Sequence, residues 1–202
     1  MLQQTLAIVN TLAYGSAMNK SLAPEDWIAA SFRALTKGGP QAIRAEAIAR
    51  SLKVSKGSFY WHFADVPALK TAMLAHWSQV ATNDIIEMLN IDAKNAAERL
   101  RLLVQVSTAS NASKYGGLLA EAAIRDWARY DNAASKALNS VDKRRIEFVK
   151  TQFASHGMND TQSSQCANIL YAALIGLEHL SHQGLAKHNQ DLAALLDILL
   201  NS

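Results

Sequence analysis

A single cysteine, Cys166, excludes a disulfide within the chain and fits a reducing compartment. Three prolines and nine glycines leave few interruptions, and no stretch alternates apolar and polar residues with period two, so β-strands are not expected. Charged residues are scarce at 18% while half of the residues are apolar, which excludes a disordered chain and provides for a sizeable core. No run approaches the ~20 apolar residues that a bilayer span requires. The first seventeen residues come nearest (Leu2, Leu6, Ile8, Val9, Leu12), but Asn10 interrupts them and the positive start of a secretory signal is missing. Residues 1–20 therefore read as a flexible or loosely helical extension, with Met18 a candidate natural start, and the cytoplasm is the expected compartment. The chain also lacks a glycine-rich phosphate loop, a His-Glu-x-x-His zinc motif and a recognisable nucleophile–base arrangement, so neither an enzyme nor a cofactor is expected.

What is present is unevenly placed. Residues 20–80 carry eight basic groups (Lys20, Arg33, Lys37, Arg44, Arg50, Lys53, Lys56, Lys70) against four acids, whereas residues 81–202 carry twelve against thirteen. A basic first third on a nearly neutral remainder suggests a head that faces a polyanion and a body with a different task.

The elements follow from periodicity and punctuation. Pro24 suits a first helical turn, and Ile28, Phe32 and Leu35 repeat at helical spacing until Gly38-Gly39. A short second helix is predicted over 44–52, with Ala47, Ile48 and Leu52 inward. A tight break at Lys53-Val54 precedes a very short third helix, Lys56–Trp61, which Ser55 can cap. Asp65 can cap a long fourth helix with Pro67 in its first turn, whose face Leu69, Met73, Trp77 and Val80 runs towards Leu89. Further amphipathic helices are predicted near 95–110, 117–130, 132–156, 160–183 and 189–201, separated by breaks at 92–95, 111–117, 131–132, 157–160 and 184–189. The chain is all-α.

Two short helices joined by a tight turn, with a helix behind them, form a helix-turn-helix. The major groove accepts one helix side-on, so a braced reading helix can be short. In Ser55-Lys56-Gly57-Ser58-Phe59-Tyr60-Trp61-His62-Phe63, Lys56 and Ser58 offer donors to base edges or phosphates, and Gly57 admits close approach. Tyr60 and His62 can reach phosphates, Phe59 and Phe63 turn inward, and Trp61 reads as a packing residue.

This run, followed by Asp65 and Ala68-Leu69, resembles the signature of the TetR family. The resemblance extends upstream through Gly38-Gly39-Pro40, Ile43, Ala47-Ile48-Ala49 and Leu52. It continues downstream in Ile124-Arg125-Asp126-Trp127-Ala128 and in Tyr171-Ala172-Ala173-Leu174-Ile175-Gly176-Leu177. It implies about nine helices: a helix-turn-helix head over 21–66 and a larger helical effector-binding and dimerisation domain over 67–202. It implies a homodimer formed through the helices near 160–183 and 189–201, with double-stranded operator DNA and an unknown small-molecule effector as the other partners, and no membrane. Carried over residue by residue, the DNA contacts are Arg44, Lys56, Gly57, Ser58, Tyr60 and His62. Among the inward residues Met73, Trp77, Met88, Leu103, Trp127, Phe148 and Tyr171, an effector pocket is expected to draw on Met73, Trp77, Leu103, Trp127, Phe148 and Tyr171.

The function implied is a transcriptional repressor, released from a near-palindromic operator when an effector shifts the fourth helix. Two departures from the family pattern stand out. Lys53 occupies a turn position where glycine is usual, and Val66 stands where a phosphate-binding lysine is common. They keep open a second reading, a helical interaction module without DNA affinity. Glu178, His179 and His182 fall within one helical turn, but Glu178 and His179 point ~100° apart, so a polar interface or pocket wall is expected there rather than a metal site. Cys166 is expected to be a buried or interface thiol.

Overall fold

The computed structural model describes residues 22–109, 115 and 119–201. The extension over 1–20, the candidate start at Met18 and most of the break at 111–117 lie outside the described residues. Among the described residues every regular element is helical.

The head is built from three pieces. Helix α1 spans Pro24–Gly38 and α2 spans Ala45–Ser51. The reading segment Lys56–Trp61 is wound as a 3-10 helix. The α1 N-terminus is closed by the Asp26 carboxylate, which accepts the Ala23 N–H at 2.9 Å. Gly39 ends it with a positive φ of 70°, its N–H donating to the Leu35 carbonyl at 2.8 Å. Trp27, Phe32 and Leu35 of α1, Ile48 and Ala49 of α2, and Phe59 and Phe63 of the reading segment are buried together. The Trp27 and Phe59 rings meet edge to face at 5.6 Å, which fixes the reading segment on the helix behind it. Phe59 and Phe63 thus point inward, as their spacing predicts. Ser55 sits at the N-cap position without capping. Its hydroxyl lies 3.2 Å from that of Ser58 instead.

Helix α3 (Val66–Ser78) leaves the head with Asp65 as its cap, the carboxylate accepting the Ala68 N–H at 2.7 Å. It continues through a π-helical turn, Gln79–Asn83, into α4 (Asp84–Asp92). This is the single long helix of the sequence reading, with one change. With the extra residue of the π turn, Thr82 and then Leu89 are buried in the packing, while Val80, 43% exposed, borders the cavity described below.

The body adds α5 (Ala96–Thr108), α6 (Leu119–Trp127), α7 (Asn132–Ser155), α8 (Asp160–His182) and α9 (His188–Leu200). Side chains at the predicted breaks cap them. Asn95 accepts from Glu98 N–H at 2.9 Å, Asp131 from Ala133 and Ala134, and Asn159 from Gln162 in a reciprocal capping box.

Two apolar clusters hold the chain together. One joins the head to Leu69, Met73 and Trp77 of α3 and to Ile124, Trp127 and Val141 of α6 and α7. The other packs Leu100 and Val104 of α5 against Val149, Phe153, Leu170, Leu192 and Leu196. The first cluster crosses residue 66 without a break, so the head is seated on the body through buried side chains rather than through a linker. Cys166 is buried in the second cluster.

Candidate DNA-binding face and internal cavity

The helix-turn-helix presents its polar residues on the outside of the head. Arg44 stands at the N-cap of α2, in extended backbone and exposed. Lys56, Gly57 and Tyr60 are exposed on the reading segment, and Ser58 and His62 are half-buried. Lys56 forms an ion pair with Glu46 of α2, which raises the lysine pKa and lowers that of the carboxyl. Both groups are open to solvent, so phosphate can replace the carboxylate. His62 is less free than its sequence suggests, because its ring lies 6.0 Å from that of Trp27. Trp61 departs from its expected packing role. It is 88% exposed, since the 3-10 winding points it away from the inward residues Phe59 and Phe63.

The two departures from the family pattern have clear geometries. Lys53 has φ 58°, the only positive φ at a non-glycine residue among those described, so the turn keeps the left-handed backbone and lysine bears its strain. Val66 is the first residue of α3 and packs half-buried on the head cluster. An apolar residue there secures the head to α3.

Gly57 is informative for another reason. A Cβ built on it would meet only Ser55 Oγ, at 3.7 Å, and its φ is not positive. Nothing inside the head requires glycine at this position.

Inside the body lies a mostly apolar cavity of about 380 Å³. Its walls come from α3, the π turn and α4 (Trp77, Val80, Ala81, Ile85), α5 (Leu103, Val106), α7 (Phe148) and α8 (Tyr171, Leu174, Ile175). Phe32 of the head also reaches it, meeting the Tyr115 ring edge to face at 6.1 Å. Of the six residues expected from sequence, Trp77, Leu103, Phe148 and Tyr171 line this cavity. Met73 and Trp127 do not, nor does Met88. Met73 is fully buried in the head-side cluster, and Trp127 closes that same cluster at the end of α6, with Lys70 over its ring at 5.5 Å.

One wall of the cavity carries an ionic network that the sequence reading missed. Arg145 of α7 directs all five of its N–H groups to acceptors. These are Thr82 Oγ1 at 3.0 Å, the Ala81 carbonyl at 2.9 Å, Glu121 Oε1 and Oε2 at 2.7 and 3.1 Å, and the Tyr171 hydroxyl at 3.3 Å. Arg125 of α6 bridges Asp142 through two bonds of 3.0 and 2.8 Å and also reaches Glu121 and Tyr171, both at 2.9 Å. The Tyr171 hydroxyl donates to Asp142 at 2.7 Å, so both its donor and its acceptor capacity are filled. Burial pushes the Glu121 carboxyl upward, but the two guanidinium groups outweigh it and hold the group below its ordinary range. Burial and the bond to Asp142 push the Tyr171 hydroxyl up to about 12.

The signal for this network was the placement of Glu121 and Arg125 four residues apart on the otherwise apolar side of α6. Which charges met them across the bundle was not readable from spacing. On α8, Glu178 faces the cavity while His179 turns outward to Gln183, and no group of three or more metal-ligating side chains assembles among the described residues.

A helix-turn-helix head is thus seated on an all-α body that has its own cavity. Residues 28–69 match the family model described as bacterial regulatory proteins, tetR family. No curated protein sequence matches the chain.

The whole fold is shared with solved transcriptional regulators. A TetR regulator from Legionella pneumophila superposes with a TM-score of 0.71 at 16% identity, over 89% of this chain and 98% of that one. A regulator from Rhodococcus sp. Rha1 gives 0.69 at 16% identity, over 89% and 95%. One from Saccharomonospora viridis, solved in complex with choline, gives 0.73 at 16% identity, over 88% and 95%. Residues 28–69 thus match the tetR family's model, and the chain as a whole shares the fold of these solved regulators. No helix among the described residues is long and apolar enough to cross a membrane.

Proposed function

We propose that this protein is a cytoplasmic, homodimeric repressor that leaves a near-palindromic operator when a small molecule fills the cavity. The observation that carries this reading is the position of the cavity. Its walls include the α3–π turn–α4 rod that extends from the head, and Phe32 of the head itself. An occupant therefore touches the lever and the head at once, and can shift the head only through differential affinity for its two positions. Operator half-sites in such dimers lie one helical turn apart, ~34–36 Å, so a small rotation of each head spoils the fit. That the Saccharomonospora viridis regulator holds choline supports ligand binding by this fold.

The DNA-facing residues on this reading are Arg44, Lys56, Gly57, Ser58, Tyr60 and His62, to which the exposed Trp61 is added. The domain division is a head over 21–66 and a body over 67–202. The dimer face is supported by the outer side of α8 and α9. There Ile169, Leu180 and Ile198 are exposed, and Ala172 and Gly176 between them leave room for a partner helix.

The test is fluorescence anisotropy on the upstream intergenic DNA of its own gene at two salt concentrations, with random DNA as competitor. Tight binding that survives competition is expected, with Lys56→Ala reducing the salt slope by ~0.9 and Tyr60→Phe weakening the complex. Binding no stronger than to random DNA, on this DNA and on sequences selected from a random pool, would establish the interaction-module alternative instead.

A further inference from the structure

The charges around the cavity do not balance, and the imbalance identifies the kind of molecule it takes. The inference rests on reading the cavity as the effector site. Among the described residues that line it, the titratable groups are Glu121, Arg145, Glu178, His76, Tyr115 and Tyr171.

Arg145 has no N–H left to offer, because all five are engaged with Thr82, Ala81, Glu121 and Tyr171. Glu121 is held by both arginines, and Asp142 behind it by Arg125 and Tyr171. Two guanidinium groups and two carboxylates thus cancel within the network. Glu178 is left over. It ends the stripe Tyr171, Leu174, Ile175 and Glu178 that α8 turns to the cavity, at the i, i+3, i+4, i+7 spacing of one helical face. Its carboxyl makes no hydrogen bond or ion pair with any described residue.

Burial, with Glu121 adding to it and Arg125 and Arg145 opposing, raises this carboxyl to about 7. An anion entering the cavity meets a carboxylate and a saturated arginine. A cation meets an unpaired carboxylate in a cavity whose walls also carry aromatic side chains, Phe148 and Tyr115 among them.

We propose that the effector is an amphipathic monocation, an apolar body bearing one amine or quaternary ammonium group, and that Glu178 is its counter-ion. The remaining walls are mostly apolar and suit the body. The network beside Glu178 reaches Ala81 and Thr82 of the π turn, so a cation seated there lies next to the joint of the lever.

Isothermal titration of the full-length protein with three probes sharing an eight-carbon tail tests this: octyltrimethylammonium, octanol and octanoate, each at pH 8.5 and pH 6. At pH 8.5 the cation is expected to bind at least about tenfold more tightly than octanol, with octanoate weakest. The advantage shrinks at pH 6, where Glu178 is protonated, and vanishes in Glu178→Gln, which still binds octanol as the wild type does.

Octanol or octanoate binding as tightly as the cation overturns the proposal while leaving the cavity an effector site. So does a preference, or a pH dependence, that persists undiminished in Glu178→Gln. If none of the three probes binds the wild type, the effector-site reading falls and the proposal with it. If Glu178→Gln loses octanol as well, the wild-type pH profile decides: a preference lost near pH 7 supports the proposal, and one unchanged from pH 6 to 8.5 overturns it.

Discussion

Gly57 separates the demands of folding from those of binding. The chain leaves room for a Cβ at this position, so Gly57→Ala should leave the melting temperature unchanged or slightly higher, alanine being the better helix former. The same methyl would stand between the reading segment and DNA, and operator affinity should fall by more than about tenfold, over 1.4 kcal/mol. Anisotropy and thermal unfolding of one preparation read both effects.

Lys53 offers the opposite case. Its left-handed backbone strains a side chain by about 1–2 kcal/mol, and glycine returns part of this through a more flexible unfolded chain. Lys53→Gly should therefore stabilise the protein by about 0.5–1 kcal/mol, seen as a melting temperature higher by about 2 °C. The sequence announced both positions, one as a motif glycine and one as a missing glycine. It did not announce Trp61, because aromatic residues in an amphipathic run ordinarily pack, and only the 3-10 winding turned this one outward.

At the scale of the element, the joint between α3 and α4 governs how the head is carried. Arg145 from α7 donates to the Ala81 carbonyl within the π turn. Arg145 also neutralises Glu121, so Arg145→Met leaves a mostly buried carboxylate without its bidentate partner. A loss of about 3 kcal/mol is expected, measurable by denaturant unfolding. Glu121→Gln in the same chain should recover most of it, and simple additivity of the two losses would refute the pairing as an energetic unit.

The helix itself was legible from Asp65, Pro67 and the apolar stripe that follows. The π turn was not, since one extra residue in a helix leaves no mark on composition. It is visible only in Thr82 entering the close-packed interior while Val80 borders the cavity, and that depends on what lies opposite.

For the whole molecule, the outer face of α8 and α9 is the largest commitment that the single chain leaves open. Ile169, half-exposed on α8, and Ile198, 67% exposed on α9, belong to helices whose opposite sides are fully packed. Ile169→Glu should leave the helical content of the chain intact, yet convert a dimer to monomers in light scattering and lower operator affinity with it. A wild-type protein that is itself monomeric at micromolar concentration would exclude this face as the dimer interface.

The sequence by itself determined the all-α class, the helix boundaries to within a few residues, the cap at Asp65, the breaks that hold Asn95, Asp131 and Asn159, and the reading segment with its inward phenylalanines. These rest on local rules, namely helical period, capping chemistry and the restrictions of glycine and proline, which act over a few residues and survive without knowledge of the fold. Only the tertiary structure decided which aromatic residues line the cavity and which fill the core. By helical period Trp77 and Trp127 are equally apolar and equally inward, and they differ only in what stands across from them. The same holds for the ionic network. Glu121 meets Arg145 because two helices distant in sequence cross at that point, and Glu178 is left unpaired because no third cation reaches it among the described residues. Pairings of that kind are set by how elements pack, and packing is a property of the assembled molecule rather than of any stretch of it.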